Sequence, residues 1–166
     1  QNEMVFGSIG GLTVFNGQEF SKFPFPEEYQ NAQVNHIAKA NDQLLISTEI
    51  GLLSFDGEFQ TIAQEWDEQK LHVKKSWLEN GVVHLCAKRG LFQVIDGTTS
   101  ALLISQDYGA LFMDISKKED HYLIATIGKG LLKWSGQEAH LSEHALLGFG
   151  INFTGITNDV RGTWLK

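Results

Sequence analysis

The chain has 166 residues, 42% of them hydrophobic and 20% charged, the balance of an ordinary globular protein, with a net charge of −7. Lysine and arginine never cluster beyond pairs such as Lys74-Lys75, Lys88-Arg89 and Lys117-Lys118. Phosphate binding needs a concentrated basic surface, so no nucleic-acid partner is expected. No apolar run approaches the roughly 18 residues of a membrane span, so no membrane contact is expected within this chain, and the single Cys86 excludes an intrachain disulfide.

The dominant feature is a repeat. Gly-Leu followed by a tight-turn glycine occurs at Gly11-Leu12 to Gly17, Gly51-Leu52 to Gly57, Gly90-Leu91 to Gly97 and Gly130-Leu131 to Gly136. The leading glycines stand 40, 39 and 40 residues apart, and the trailing ones 40, 40 and 39. A fixed period of this length marks one supersecondary unit, copied and stacked.

In chain order, Met4–Ser8 falls on the second strand of a unit already under way. The next copy is complete. It reads as Val34–Ala40, a turn at Asn41-Asp42, Leu44–Thr48, Leu52–Phe55 and Glu58–Ala63, with Asp56-Gly57 as a two-residue type I′ hairpin. The third copy reads Leu71–Leu78, Val82–Ala87, Leu91–Ile95 and Thr99–Ile104, with turns at Glu79-Asn80-Gly81 and Asp96-Gly97. The fourth reads Leu111–Ser116, Tyr122–Thr126, Leu131–Trp134 and Glu138–Leu141, with Ser135-Gly136 between the last two. The segments Ile156–Asp159 and Thr163–Lys166 begin another unit.

Four short strands joined by tight turns make one blade of a β-propeller. Helical repeats of this period would need amphipathic stretches of about ten residues or more with few glycines. Here 17 glycines cut the chain every few residues. The expected fold is all-β, a β-propeller of four-stranded antiparallel blades, incomplete or split at the termini. A partial blade is expected over 1–23, blades over 34–63, 71–104 and 110–141, and a partial blade over 151–166. Both ends offer a second strand. The chain is therefore expected to belong to a larger propeller or to self-associate, with Val5, Phe6, Ile151 and Trp164 covered by more protein.

Loops from the last strand of one blade to the first of the next open beside the channel mouth. Each of three such loops carries an aromatic beside polar groups: Tyr29 with Gln30 and Asn31, Trp66 with Glu65, Asp67 and Glu68, and Tyr108 with Asp107. A ring there can stack on a sugar while its neighbours bond the hydroxyls; the competing reading is an aromatic that plugs the gap between blades. His36 opens a first strand, which lines the channel. Tyr29, His36, Trp66, Asp67 and Tyr108 are thus the expected ligand-binding residues. Trp77 and Trp134 lie within strands and read as core. His140 and His144, with Glu143 between, are too few for a metal site and read as a solvated loop. Cys86 reads as a small buried hydrophobe. No acid, base and nucleophile converge, so no catalytic residue, metal or cofactor is expected.

The segment Asn158-Asp159-Val160-Arg161-Gly162-Thr163-Trp164-Leu165, its counterpart Asn41–Thr48 and the four Gly-Leu hairpins resemble the two-component regulator propeller repeats. That resemblance implies a periplasmic or extracellular sensor domain of a membrane-bound hybrid histidine kinase, in a family with many polysaccharide sensors. It implies non-enzymatic recognition, with an oligosaccharide or other small ligand as partner. The competing classes are a propeller lyase or hydrolase with histidines at the channel mouth, and a scaffold for protein contacts. Thr157–Trp164 is also close to the Asp-box of sialidase-like propellers, its Gly one place late. With no arginine triad, this second resemblance implies only a structural turn.

Overall fold

In the computed structural model the described residues are 3–136, 139–141, 152–159 and 162–165. Glu143, His144 and Ile151, and the side chain of Trp164, lie outside this description. The strands form short antiparallel sheets in chain order. β1 (Met4–Ser8), β2 (Gly11–Phe15) and β3 (Phe20–Pro24) make a three-stranded sheet. β4 (Val34–Ala40), β5 (Gln43–Thr48), β6 (Gly51–Phe55) and β7 (Phe59–Ala63) make the first four-stranded one. A small hairpin, β8 (Glu65–Trp66) and β9 (Gln69–Lys70), leads to β10 (Val73–Glu79), β11 (Val82–Ala87), β12 (Gly90–Ile95) and β13 (Thr98–Ile104). The third four-stranded sheet is β14 (Leu111–Lys117), β15 (Tyr122–Ile127), β16 (Leu131–Trp134) and β17 (Ala139–Leu141). β18 (Ile156–Asp159) then pairs with β19 (Gly162–Leu165). Each sheet is an up-and-down meander, the build of a propeller blade.

The middle strands of each blade read as apolar runs because both of their faces are covered. Consecutive residues point to opposite faces of a strand. Thus Leu45, Leu52, Leu85 and Phe92 fill the seam between the first two four-stranded sheets. Ile46 and Leu53, one residue on, fill the seam towards β1–β3 with Leu12 and Phe25. Cys86 and Leu91 face the next seam, with Ile124 and Leu132. Cys86 is fully buried, and burial pushes its thiol pKa up, so it is an inert core atom. The first strands of successive units lie side by side, β4 against β10, β10 against β14 and β14 against β18, and β1, the second strand of its unit, also lies against β4.

The leading glycines of the two middle repeats have a packing reason. Where β6 and β12 meet their outer neighbours, the ladder shifts register at Leu52/Leu53 and Leu91/Phe92. The backbone of the outer strand then crowds the glycine. A Cβ at Gly51 would stand 2.7 Å from the Ala63 carbonyl oxygen, and one at Gly90 2.2 Å from that of Leu103.

The trailing glycines all fall in the connections to the outermost strands, but the turns differ in length. Asp96-Gly97 is the two-residue turn expected, both residues at positive φ (50° and 75°). Asp56-Gly57 is not. Phe55 pairs with Phe59, leaving three residues in the turn, with only Gly57 at positive φ. The Asp56 carboxylate accepts the Glu58 N–H at 3.4 Å, which holds the wider loop.

Candidate ligand site at the channel mouth

Three blades start their first strand with the same irregularity. Register shifts fall between Val34 and His36, between Val73 and Lys75, and between Phe112 and Asp114. In a regular strand two successive side chains point to opposite faces. A bulge re-aims one of them, so both can reach the same space. The result is one cavity of about 300 Å³ lined by Asn35 and His36, Lys74 and Lys75, Met113 and Asp114, with Thr154 ahead of β18. Each blade contributes an adjacent pair.

Hydrogen bonds run from blade to blade along this lining. Asn35 Nδ2 donates to the Val73 carbonyl at 2.7 Å. Lys75 Nζ donates to Asp114 Oδ1 at 3.1 Å and to the Ile115 carbonyl at 2.8 Å. Asp114 Oδ1 also accepts the Ile115 N–H at 2.7 Å, and Oδ2 accepts the Ile156 N–H at 2.8 Å. Asp114 therefore ties β10, β14 and β18 together, and its charge is matched by Lys75.

His36 and Lys74 are placed differently. The Nδ1 of His36 is buried and has no hydrogen-bond partner among the described residues. Burial, then the nearby Lys75 charge, pulls its pKa below the usual histidine range, with Asp114 opposing; the ring stays neutral at neutral pH. Burial likewise lowers the pKa of Lys74, helped by the Lys88 charge and opposed by Glu49.

The other expected site residues lie in the connections at this same end of the sheets. Tyr29 must be corrected. It sits in the 3₁₀ turn Glu27–Tyr29, is 0% exposed, and packs with Leu12, Phe25, Ile46 and Leu53. It is a plug between two blades and offers no face to a sugar. Its pKa is pushed up to about 12 by burial, with Thr61 opposing, yet its hydroxyl makes no contact of hydrogen-bond geometry. Trp66 is half-buried. It leans on Phe92 at 5.2 Å between centroids, and the Arg89 guanidinium lies over it at 5.3 Å. Asp67 is exposed and shares a tight turn with Glu68, both at positive φ (52° and 58°). Tyr108, in the 3₁₀ turn Ser105–Tyr108, is half-buried and its hydroxyl accepts the Ala139 N–H at 3.4 Å. Of the five, His36 alone lines the cavity described above.

Its partners there, Asn35, Lys74, Lys75 and Asp114, were not expected. The signal that would have found them is positional: Asn35-His36, Lys74-Lys75 and Met113-Asp114 recur 39 residues apart.

At the opposite end of the same strands lies a second polar cluster. Glu79, on the last position of β10, accepts hydrogen bonds from Trp77 Nε1 at 3.4 Å, from the Tyr122 hydroxyl and from Lys117 Nζ. Trp77 stacks on His84 at 5.4 Å, and Tyr122 lies 5.5 Å from Trp134. Trp134 is core, as expected; Trp77 is only half-buried.

No protein-family model matches the chain, and no curated protein matches it. Solved structures do. The extracellular domain of the putative hybrid two component system BT4673 from B. thetaiotaomicron superposes with a TM-score of 0.77 at 16% identity, covering 98% of this chain and 24% of that one. The corresponding domain of BT3049 from the same organism gives 0.52 at 15% identity, over 97% of this chain and 30% of that one. YCF48 bound to D1 peptide gives 0.67 at 14% identity, over 96% and 54%. The chain thus spans about a quarter of the length of the first of these. Among the described residues no helix is long and apolar enough to cross a membrane. The resemblance to two-component regulator propeller repeats has its structural counterpart in these extracellular domains, and the architecture of the chain is theirs, a run of β-propeller blades.

Proposed function

We propose that the chain is a ligand-recognition segment of an extracytoplasmic sensor propeller of the two-component type, that it catalyses nothing, and that its ligand is a carbohydrate taken at the channel mouth. The observation that carries this reading is the bulge in three successive first strands, which turns adjacent side-chain pairs, five of the six residues polar, into one cavity. Strand interiors serve packing; only these irregular ends free side chains for a ligand. His36 is the central contact, and Trp66, Asp67 and Tyr108 flank the mouth from its connecting loops. Turnover has no support in the cavity's chemistry. Asp114 already accepts from three donors, which leaves it poorly placed as a general base.

Assembly is part of the same reading. Met4, Phe6, Ile9 and Phe20 are 48–70% exposed on the sheet β1–β3, an apolar surface that supports a cover of further protein. That cover is the remainder of a larger ring or a second copy. Light scattering on the isolated chain should show self-association; a clean monomer would remove this element.

The test of the function is a panel of oligosaccharides followed by thermal unfolding. A true ligand raises the midpoint, because it binds the folded state alone. His36→Ala should abolish the rise while leaving the unliganded midpoint within a few degrees. A panel that protects nothing, or a substrate turned over with loss on His36→Ala, would replace recognition with another function.

A further inference from the structure

The cavity at the channel mouth has an electrical imbalance that specifies its ligand further. The lining holds two ammonium groups and one carboxylate. Lys75 and Asp114 offset each other, and both are engaged in bonds between blades. Lys74 is left over. It is partly buried, lines the cavity, and forms no hydrogen bond or ion pair among the described residues. The Lys88 charge acts on it and Glu49 opposes from beyond ion-pair distance, while burial and the two lysines hold the nearby His72 ring below the usual histidine range, so it adds no charge. His36 lines the same cavity; its Nδ1 is buried and unpartnered among the described residues, which leaves Nε2 as the ring nitrogen that can present an N–H to a ligand. All this occurs on a chain whose net charge is −7, so the spot stands against the overall field. A neutral sugar would leave the Lys74 ammonium partly desolvated and uncompensated. An anionic oxygen group would compensate it by a charge-assisted hydrogen bond and could take a second bond from the imidazole.

We propose that the channel mouth selects an acidic ligand, holding one carboxylate or sulfate ester between Lys74 and His36. The proposal rests on the mouth being the recognition site and names the chemical class that it takes. Met113, on the same lining, supplies an apolar surface for the carbon skeleton.

The experiment is an NMR titration of the full chain with glucuronate, glucose 6-sulfate and glucose at matched ionic strength. The acidic sugars should move the resonances of Asn35, His36, Lys74 and Thr154, and glucose should not. The ratio of the two acidic affinities distinguishes carboxylate from sulfate. Lys74→Gln should weaken acidic-sugar binding about tenfold or more, while Lys74→Arg keeps it within a few-fold. Both variants should match the parent's melting temperature, which separates lost binding from lost folding. If glucose binds as well as glucuronate at these residues, the acidic class falls and the recognition site stands. If inorganic sulfate moves them and no sugar does, the anion site stands and the carbohydrate reading falls. If no anion moves them, or Lys74→Gln binds normally, the proposal is wrong.

Discussion

The two ends of β10 make a useful contrast. One strand carries Lys74-Lys75 where it begins and Trp77 and Glu79 where it ends, and the two ends face neighbours on the same adjoining blades. At the far end three donors converge on one carboxylate, between stacked aromatics. At the near end the Lys75–Asp114 pair is equally tied in, yet beside it stand a histidine nitrogen and an ammonium without partners among the described residues. Polar groups whose bonding is complete hold blades together. The far end also has an unpartnered group, the buried Trp134 Nε1, but that one is packed in core, whereas Lys74 and His36 line a cavity where an outside molecule could complete their bonding.

The sharpest way to break this contrast is Asp114→Ala. It removes three acceptor contacts and leaves Lys75 partly buried without its counter-charge, so a loss of about 3 kcal/mol is expected in denaturant unfolding. A loss below about 1 kcal/mol would mean that the mouth is not held together by this carboxylate. Next comes Trp66→Ala, which deletes a half-buried ring from Phe92 and from under Arg89, at an expected cost of about 2 kcal/mol. Should the variant keep its stability and lose ligand binding, the rim would be the recognition surface and the cavity its support.

Glu79→Gln tests the far end, with a smaller expected loss of about 1 kcal/mol at neutral pH. The acid limb is the better reading. The Lys117 and Tyr122 hydrogen bonds pull the Glu79 pKa down from 4.5 to about 2 in the folded protein. A depressed carboxylate contributes stability that is fully present above its unfolded pKa and lost as pH falls through the folded one. The parent should therefore lose stability between about pH 4.5 and pH 2, and in Glu79→Gln that part of the slope should be missing. An unchanged acid limb would show that Glu79 is not so tightly held. The smallest effect belongs to Tyr29→Phe. Its hydroxyl is buried without a hydrogen bond among the described residues, so deleting it should change stability by no more than about 0.5 kcal/mol, or raise it. A loss of more than about 1 kcal/mol would reveal a bond at that oxygen.

The blade architecture was legible in the sequence because it is written locally and repeatedly. Val34–Ala40, Val82–Ala87 and Leu131–Trp134 occur as strands with the bounds expected from apolar content and flanking turns alone. The candidate site was much less so. Aromatics in equivalent loops are conspicuous, but a loop aromatic beside a seam is drawn into it by the apolar area that it buries, as Tyr29 shows. The bulges left no local mark. Val73-Lys74-Lys75 is an ordinary strand by composition, and only tertiary register reveals that two successive side chains share one cavity. The β8–β9 hairpin was hidden for a similar reason. Its turn, Asp67-Glu68, takes positive φ at both positions without a glycine, and an exposed ion pair of Lys70 with Glu65 at 2.8 Å flanks it.

The repeated bulge also bears on how such a chain changes over generations. A regular strand commits nearly every position of its covered face to the seams, so substitutions there are judged by folding. Within the bulged pairs Asn35, Lys75 and Asp114 are still held by bonds between blades, but Lys74 and Met113 line the cavity without such a bond among the described residues and are freer to change. Asn35, Lys74 and Met113 occupy corresponding places in three copies and already differ in charge, length and polarity. Duplicated blades thus carry a few rim positions, Lys74 and Met113 among them, where a substitution alters the cavity's chemistry while leaving the seams intact.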